Sequence, residues 1–529
     1  MLGRRSHLVL AKDSLFQNFE DENLNLCPLT DFEFLRSVDE VFTPFISFVS
    51  SQEDSAFDIL MGDFRFLVFF CQHLHMRRLE KVCREKKVDL ILDATQRKIV
   101  NPDWNKFGNE YKSWLINRSR ARQWASIFYK NMSLVGHPRN LCNLLSGNLG
   151  WALALGEGER LRNDYSLLQS VQSVQYEPWL HLRDSQISGQ LTKKWQSKFV
   201  EPYLDVLSPD LNGILSESDK KLLTSAWARR LSEVENIYET FIEAKKYFPL
   251  MLVNGGTNPF RKIMMLAYQR SGVRTILFHH GHDFGGRVQR YGHLGEVSHS
   301  RRFICPTHWI ASNYRKAYQN EVVEKRTGTR YESVGSNYFQ EIYEESKKFR
   351  KENSTSNQYF MVMGRPINDR RLLDASGGFL VHKVALEFKL IQLLKLGRHQ
   401  VLYKAHPESA IYANSLFKSQ CTVSSTPLEK IYCSASCLIF TTATSTAFGF
   451  AMATTVPIVL VEHKDNVWQE HVRREVSRRC AMIQYSEDDR ASALLSLDCL
   501  NQAVEEARQK ASDTGFLNEL TQKHRKDLS

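Results

Sequence analysis

Residues 248 to 286 read FPLMLVNGGTNPFRKIMMLAYQRSGVRTILFHHGHDFGG, and their pattern decides the fold class. FPLMLV (248–253) is a short apolar run that breaks at NGGTN (254–258), a turn-rich stretch. PFRKIMMLAYQRSG carries helical spacing, with Pro259 in its first turn and Gly272 just past its end, the placement helices favour. VRTILF (273–278) is a second apolar strand, and HHGHDFGG follows it. Strand, helix and strand in this order predict a β-α-β unit with two parallel strands. Parallel strands end at one edge of their sheet, and that edge is where open α/β sheets bind ligands. The edge therefore receives His280, His282 and Asp283 on a loop loosened by Gly281, Gly285 and Gly286.

The same alternation continues toward the C-terminus. CPTHWIAS (305–312) and YESVGSNYF (331–339) read as two further strand ends, and the polar stretch 344–358 reads as a linker. A second α/β pattern then begins. YFMVMG is a strand, 379–397 a helix closed by Gly397, and QVLYKAHPES (400–409) a strand running into a polar turn. CLIF is a strand, TTATS a hydroxyl-rich loop, TAFGFAMAT a helix and VPIVLVE a strand. Toward the N-terminus the signals are weaker. RFLVFFC (65–71) and VDLILDAT (88–95) look like strands, while 105–247 is polar, Trp- and Arg-rich and helical in spacing. The expected architecture is α/β, with two domains in tandem. An N-terminal domain covers 1–343 with a helical insertion at 105–247, and the 344–358 linker follows. A C-terminal domain covers 359–500, and a charged helix covers 501–529. A cleft between the two domains is the natural ligand site.

With 529 residues the chain is too long for one ordinary core. Its net charge of +11 and pI of about 9.0 favour polyanions, phosphate-bearing ligands or an acidic membrane surface, or belong to a merely solvated basic surface. No nucleic-acid-binding or zinc-finger spacing is present. The ten cysteines form no CxxC pair, and the N-terminus lacks the apolar segment of a secretory signal. Both features predict a reduced, cytoplasmic protein. Residues 431–461 carry no charge, but their Thr and Ser content, Gly449 and Pro457 point to buried strand, loop, helix and strand rather than to a membrane span.

Two patterns carry chemistry in the C-terminal half. Lys404 and His406 end a strand, and Pro407 stiffens the turn that aims them. Both side chains donate hydrogen bonds suited to phosphate oxygens, although an ordinary strand-to-loop junction has the same appearance. About forty residues on, Thr442, Thr444, Ser445 and Thr446 precede a helix. One hydroxyl would cap that helix; this many suggest a phosphate cradle. Weaker candidates are Arg365 after the first strand of this half, Glu462 near its last strand, and Asn254 and Gly255, which either contact an acceptor or make a tight turn.

Taken together, these motifs resemble bacterial surface-polysaccharide transferases of the GT-B fold. A strand ends in His-Gly in the first domain and another in His-Pro in the second, with a Ser/Thr-rich loop before AFGFAMATTVPIVL. The resemblance covers roughly residues 248–465. It is nearest to capsule transferases that use CMP-Kdo or CMP-sialic acid, and CDP-glycerol polyglycerophosphate transferases share the His-Gly and His-Pro arrangement. It implies two Rossmann-type domains facing a cleft. The donor phosphates would sit on His406 and the Thr444–Thr446 loop with Lys404 and Thr442, and Arg365 and Glu462 would lie toward the nucleotide. His280, His282 or Asp283 would be the base, and Asn254, Gly255 and Gly281 would line the acceptor side. The chain departs from the family in the extra HDFGG after His280-Gly281, and in Phe450, where a glutamate is expected.

The expected function is thus sugar transfer from a nucleotide-activated donor to a growing glycan or lipid-linked glycan. No metal, cofactor or nucleic acid takes part, and contact with the inner face of an acidic membrane is peripheral. A CDP-glycerol-type transferase, a sugar-nucleotide epimerase and a non-catalytic nucleotide- or glycan-binding scaffold are the alternatives. A histidine as base fits hydroxyl activation near neutral pH. A metal site on HHxH lacks helical ligand spacing and a completing Cys or acidic pair.

Overall fold

The computed structural model describes residues 6–11, 15, 27–108, 151–155, 160–175, 189–211, 213–244, 246, 248–254, 259–280, 284–287, 293–297, 300–352, 359–367, 380–488 and 492–521. Two six-stranded, wholly parallel sheets form the framework. The first contains β3 (Trp151–Leu155), β4 (Gln172–Gln175), β5 (Leu250–Asn254), β6 (Arg274–Phe278), β7 (Arg302–Cys305) and β8 (Arg330–Ser333), in the order β4-β3-β5-β6-β7-β8. The second contains β9 (Tyr359–Met363), β10 (Val401–Lys404), β11 (Thr422–Ser424), β12 (Ala435–Phe440), β13 (Ile458–His463) and β14 (Ala481–Tyr485), in the order β11-β10-β9-β12-β13-β14. A separate parallel pair joins β1 (Ser6–Val9) to β2 (Val88–Ile91).

Each large sheet is doubly wound. In the first, strand order reverses between β3 and β5; in the second, between β9 and β12. Such reversals leave a crevice at the carboxyl edge where successive connections leave to opposite faces. The central strands are buried on both sides, β5 and β13 along their whole lengths, which is why they read as unbroken apolar runs. The uncharged stretch 431–461 is strand, loop, helix and strand inside the second sheet. Among the described residues no helix is long and apolar enough to cross a membrane.

Three expectations change. RFLVFFC is not a strand: it opens the helix Phe64–Glu85, whose buried positions Leu67, Phe70, Cys71, Leu74 and Leu79 continue the apolar pattern at helical spacing. A short apolar run does not by itself distinguish the two. The 105–247 segment is not wholly helical, because β3 and β4 lie within it and complete the first sheet. WALAL is made largely of good helix formers, and QSVQ is a polar edge strand, so neither announces itself locally. The 344–358 linker is helical through Glu352, as the second half of the helix Tyr338–Glu352. Phe339, Ile342 and Ser346 are buried along one face of that helix, and a polar composition hides this stripe.

A helical layer covers the first domain. Helices Asp31–Ser50, Phe64–Glu85 and Glu217–Glu243 enclose an aromatic cluster in which Trp227 meets Phe66, Phe199 and Tyr203 at centroid distances of 4.4–5.6 Å. His73 lies in the same layer, with Nδ1 2.7 Å from the Ile99 carbonyl oxygen and Nε2 buried without a hydrogen-bond partner among the described residues. Nδ1 therefore carries the proton and donates it. Burial lowers the His73 pKa to about 4, because charging the ring would bury a second, unpaired N–H. Between about pH 6.5 and pH 4 the unfolded chain binds a proton that the folded chain refuses. Stability from this residue is complete above that window and is lost as pH falls through it, by about 3 kcal/mol. The expected result is that His73→Asn, which keeps a donor but does not titrate, narrows the gap between melting temperatures at pH 7 and pH 4.5. An unchanged gap would remove His73 from the acid response.

Candidate donor and acceptor site

The second sheet brings the two C-terminal motifs together. Its order places β9 between β10 and β12, with Met363 opposite Lys404 and Val362 opposite Ile439. The turn after β10 and the loop after β12 therefore flank the end of β9, separated by two strand spacings, about 10 Å. This is the crevice at the strand-order reversal.

In the first of these turns, His406 caps Pro407–Ser409, its Nδ1 accepting from the Glu408 backbone N–H at 3.3 Å. The ring is therefore fixed with Nε2 as its remaining polar atom. Lys404 is buried and donates to the Ala405 carbonyl. Burial lowers its pKa while Glu429 pulls it back up, so an incoming phosphate would favour its charged form. In the hydroxyl loop, Thr442 and Thr444 share a hydrogen bond of 2.9 Å. Ser445 caps the helix Thr446–Met452 by accepting from Phe448 N–H at 3.1 Å. Ser445 thus has a structural task, whereas Thr446 is exposed and Thr442 and Thr444 are half-buried at the crevice.

Beneath this crevice lies a buried network that sequence reading missed. Arg365 is not open to a ligand: its guanidinium donates to the hydroxyl of Thr441 at 2.9 Å and to the Thr441 carbonyl, and lies 3.8 Å from Glu387. Glu387 also accepts from Arg365 N–H at 3.1 Å and from the Tyr403 hydroxyl at 2.8 Å. Ser409 closes the ring by donating to the Arg365 carbonyl at 2.6 Å. The loops after β9 and β12 and strand β10 are therefore tied to one carboxylate, and the turn after β10 is tied to Arg365. A signal was present: Glu387 falls on the buried stripe of Leu380, Val384, Ile391 and Leu394 in helix Leu380–Leu396, where an apolar residue is expected. Gly364 is required there, since a Cβ would lie 2.3 Å from the Tyr403 hydroxyl.

On the first sheet, Asn254 ends β5 beside the strand-order reversal. It is 2% exposed, and both side-chain amide atoms are buried without a hydrogen-bond partner among the described residues. His280 follows β6 and is exposed, whereas its neighbour His279 is buried against the Tyr314 hydroxyl at 3.0 Å. Gly255, Gly281, His282 and Asp283 lie outside the described residues.

Glycines 285 and 286 serve packing and not looseness. Gly285 has φ +62° and packs on Tyr314, and a Cβ on Gly286 would lie 2.7 Å from the Trp468 ring. Both let the chain after β6 dock on the segment after β13. Phe284 fills a pocket made by Trp309 and Phe339 of the first domain with Phe448 and Phe516 of the C-terminal half. The extra HDFGG is thus, over its described part, a domain contact. Glu462 belongs to the same contact. It is buried at the end of β13 and accepts from Trp468 Nε1 at 2.6 Å. Burial raises its pKa, opposed by Arg287 and by the Trp468 bond. Phe450 packs edge-on against Tyr432.

Loops from the carboxyl edges of both sheets meet at this contact, so the ligand edges of the two domains face one another. The chain is a two-domain α/β protein of GT-B-like architecture, each domain Rossmann-type. No family model and no curated protein matches it. Among solved structures it is similar to UDP-GlcNAc 2-epimerase of Methanocaldococcus jannaschii in complex with UDP-GlcNAc and UDP, at 12% identity over 68% of this chain and 92% of that one, TM-score 0.34. It is also similar to the wall teichoic acid polymerase TagF, at 10% identity over 76% of this chain and 94% of that one, TM-score 0.32. Likeness at this level assigns no activity to the chain, whose own residues must supply one.

Proposed function

We propose that the protein transfers a sugar from a nucleotide-activated donor to a glycan acceptor. One observation carries the reading: the His406 turn and the Thr442–Thr446 loop flank the β9 end at the strand-order reversal of the second sheet, above a network that fixes both. Donors held in place before a ligand arrives suit an anionic leaving group, whose charge grows as its bond breaks. In the step, an acceptor hydroxyl oxygen bonds to the anomeric carbon while the bond from that carbon to the phosphate oxygen breaks. The electron pair leaves with the nucleotide, and the hydroxyl proton passes to a base. His406, Lys404, Thr442 and Thr444 receive the phosphate charge. His280, or His282 or Asp283 beside it, is the base, and Asn254 offers a donor and an acceptor to the acceptor's hydroxyls. CMP-linked sugars such as CMP-Kdo and CMP-sialic acid are the donors to try first.

Ligands that bind only the native state raise its apparent stability. The expected result is that one of CMP, CDP, UDP and GDP raises the melting temperature of the wild type, and that His406→Ala and the double substitution Thr442→Val, Thr444→Val both abolish the rise. A rise that survives in both variants would move the nucleotide elsewhere. No rise with any nucleotide would sink the donor reading.

A further inference from the structure

The histidine loop is not held by its own domain alone. Its first end is fixed by His279, buried against Tyr314. Its far end, Phe284–Arg287, is fixed by the other domain. The Gln469 side-chain N–H₂ donates both to the Gly285 carbonyl at 2.6 Å and to the Asn313 carbonyl at 3.0 Å. The Gln469 backbone N–H donates to the Gly286 carbonyl at 2.8 Å. Asn313, fully buried in helix His308–Tyr318, donates to the Phe284 carbonyl at 3.0 Å and accepts from His471 Nε2 at 3.0 Å. Arg287 and Trp468 form an antiparallel bridge, and Trp468 is itself held by Glu462 at the end of β13. The carbonyls of Gly285, Gly286 and Asn313 all point at one residue of the donor-side domain. Both N–H bonds of the Gln469 amide are used across the domain boundary.

We propose that Gln469 is a positioning residue: reaching across the domain boundary, it fixes the Phe284–Arg287 end of the histidine loop, on which proton abstraction from the acceptor depends. This rests on the transfer reading above. Gln469 touches no reacting atom; it acts through the Phe284–Arg287 segment. Its amide is the group the site requires, because two carbonyl oxygens need two donors on one atom. Glutamate has the same shape but would set a carboxylate against those two oxygens. Gln469→Glu therefore reverses the interaction without leaving a cavity, and Gln469→Ala simply deletes it.

Amide hydrogen exchange over 279–287, measured on the full chain without ligand, should be at least about tenfold faster in Gln469→Ala and faster still in Gln469→Glu. Turnover is then measured with the sugar donor of whichever nucleotide stabilises the wild type. kcat should fall about tenfold in Gln469→Ala and further in Gln469→Glu. The nucleotide-induced rise in melting temperature should stay as in the wild type. Unchanged exchange overturns the proposal, as does a fall in donor binding that accounts for the whole loss of turnover. Failure of every nucleotide to stabilise the wild type defeats the transfer reading instead; the loop's anchoring is still decided by exchange in the two variants.

Discussion

Replacing Asp63 with alanine should destabilise the helical layer of the first domain by about 3–5 kcal/mol, among the largest single-residue losses in the molecule. Asp63 and Arg230 are 2% and 3% exposed. The Arg230 Nε and Nη2 donate to the Asp63 carboxylate at 2.8–2.9 Å, a bidentate pair between residues 167 apart in sequence. The guanidinium also lies 4.9 Å from the centroid of the Phe107 ring. Deleting the carboxylate removes the bidentate counter-charge of a buried cation, and the cost of that loss exceeds any gain in packing. Urea unfolding of wild type and Asp63→Ala measures the loss. The double variant Asp63→Leu, Arg230→Met removes both charges and should recover most of it. If it is as unstable as Asp63→Ala, the loss comes from packing geometry and not from the stranded charge.

This pair illustrates what the sequence could and could not show. The β-α-β unit at 248–286 and strands β9, β10, β12 and β13 were legible because buried parallel strands are apolar throughout and their helices have punctuated ends; the short, half-exposed β11 was not. The helical layer was less legible. Asp63 and Arg230 each look like ordinary solvated charges, and only the fold brings them together. β3 and β4 were missed for a related reason: WALAL and QSVQ have no strand propensity of their own and become strands because β5 offers an edge. The positions of His406 and the hydroxyl loop at strand ends could be read because that signal is local. The roles of Arg365 and Glu462 could not. Position after a strand predicts that each faces a ligand, yet each is turned inward, Arg365 to Thr441 and Glu387, far along the chain, and Glu462 to Trp468, six residues on. Gly285 and Gly286 show the same limit: flexibility was visible, and what approached them was not.

The second large effect is expected at Glu387, and it separates stability from binding. One carboxylate accepts from Arg365 N–H, from the Tyr403 hydroxyl and, at 3.4 Å, from Thr441, so it joins the loops after β9 and β12 to strand β10, beneath the proposed phosphate site. Glu387→Ala should cost about 3–5 kcal/mol, since it takes the acceptor from the buried Arg365 N–H and Tyr403 hydroxyl and removes the counter-charge 3.8 Å from the Arg365 guanidinium. Glu387→Gln keeps an acceptor oxygen and should cost less. Burial raises the Glu387 pKa to about 7, against the pull of Arg365 and its hydrogen bonds. The folded chain therefore keeps a proton that the unfolded chain loses above about pH 4.5. The stability linked to that proton is complete at lower pH and is lost as pH rises through 7. Glu387→Gln cannot titrate, so wild type should lose ground relative to it between pH 5 and pH 8. A constant difference in melting temperature across that range would show that Arg365 keeps the carboxylate ionised throughout. The same variant tests the site above: with one of the two acceptor oxygens replaced by a donor, the loops are tied less firmly, and nucleotide-induced stabilisation should weaken in Glu387→Gln although residue 387 lies beneath the crevice and not within it. Full retention of that stabilisation would mean that the His406 turn and the Thr442–Thr446 loop hold their geometry without the network.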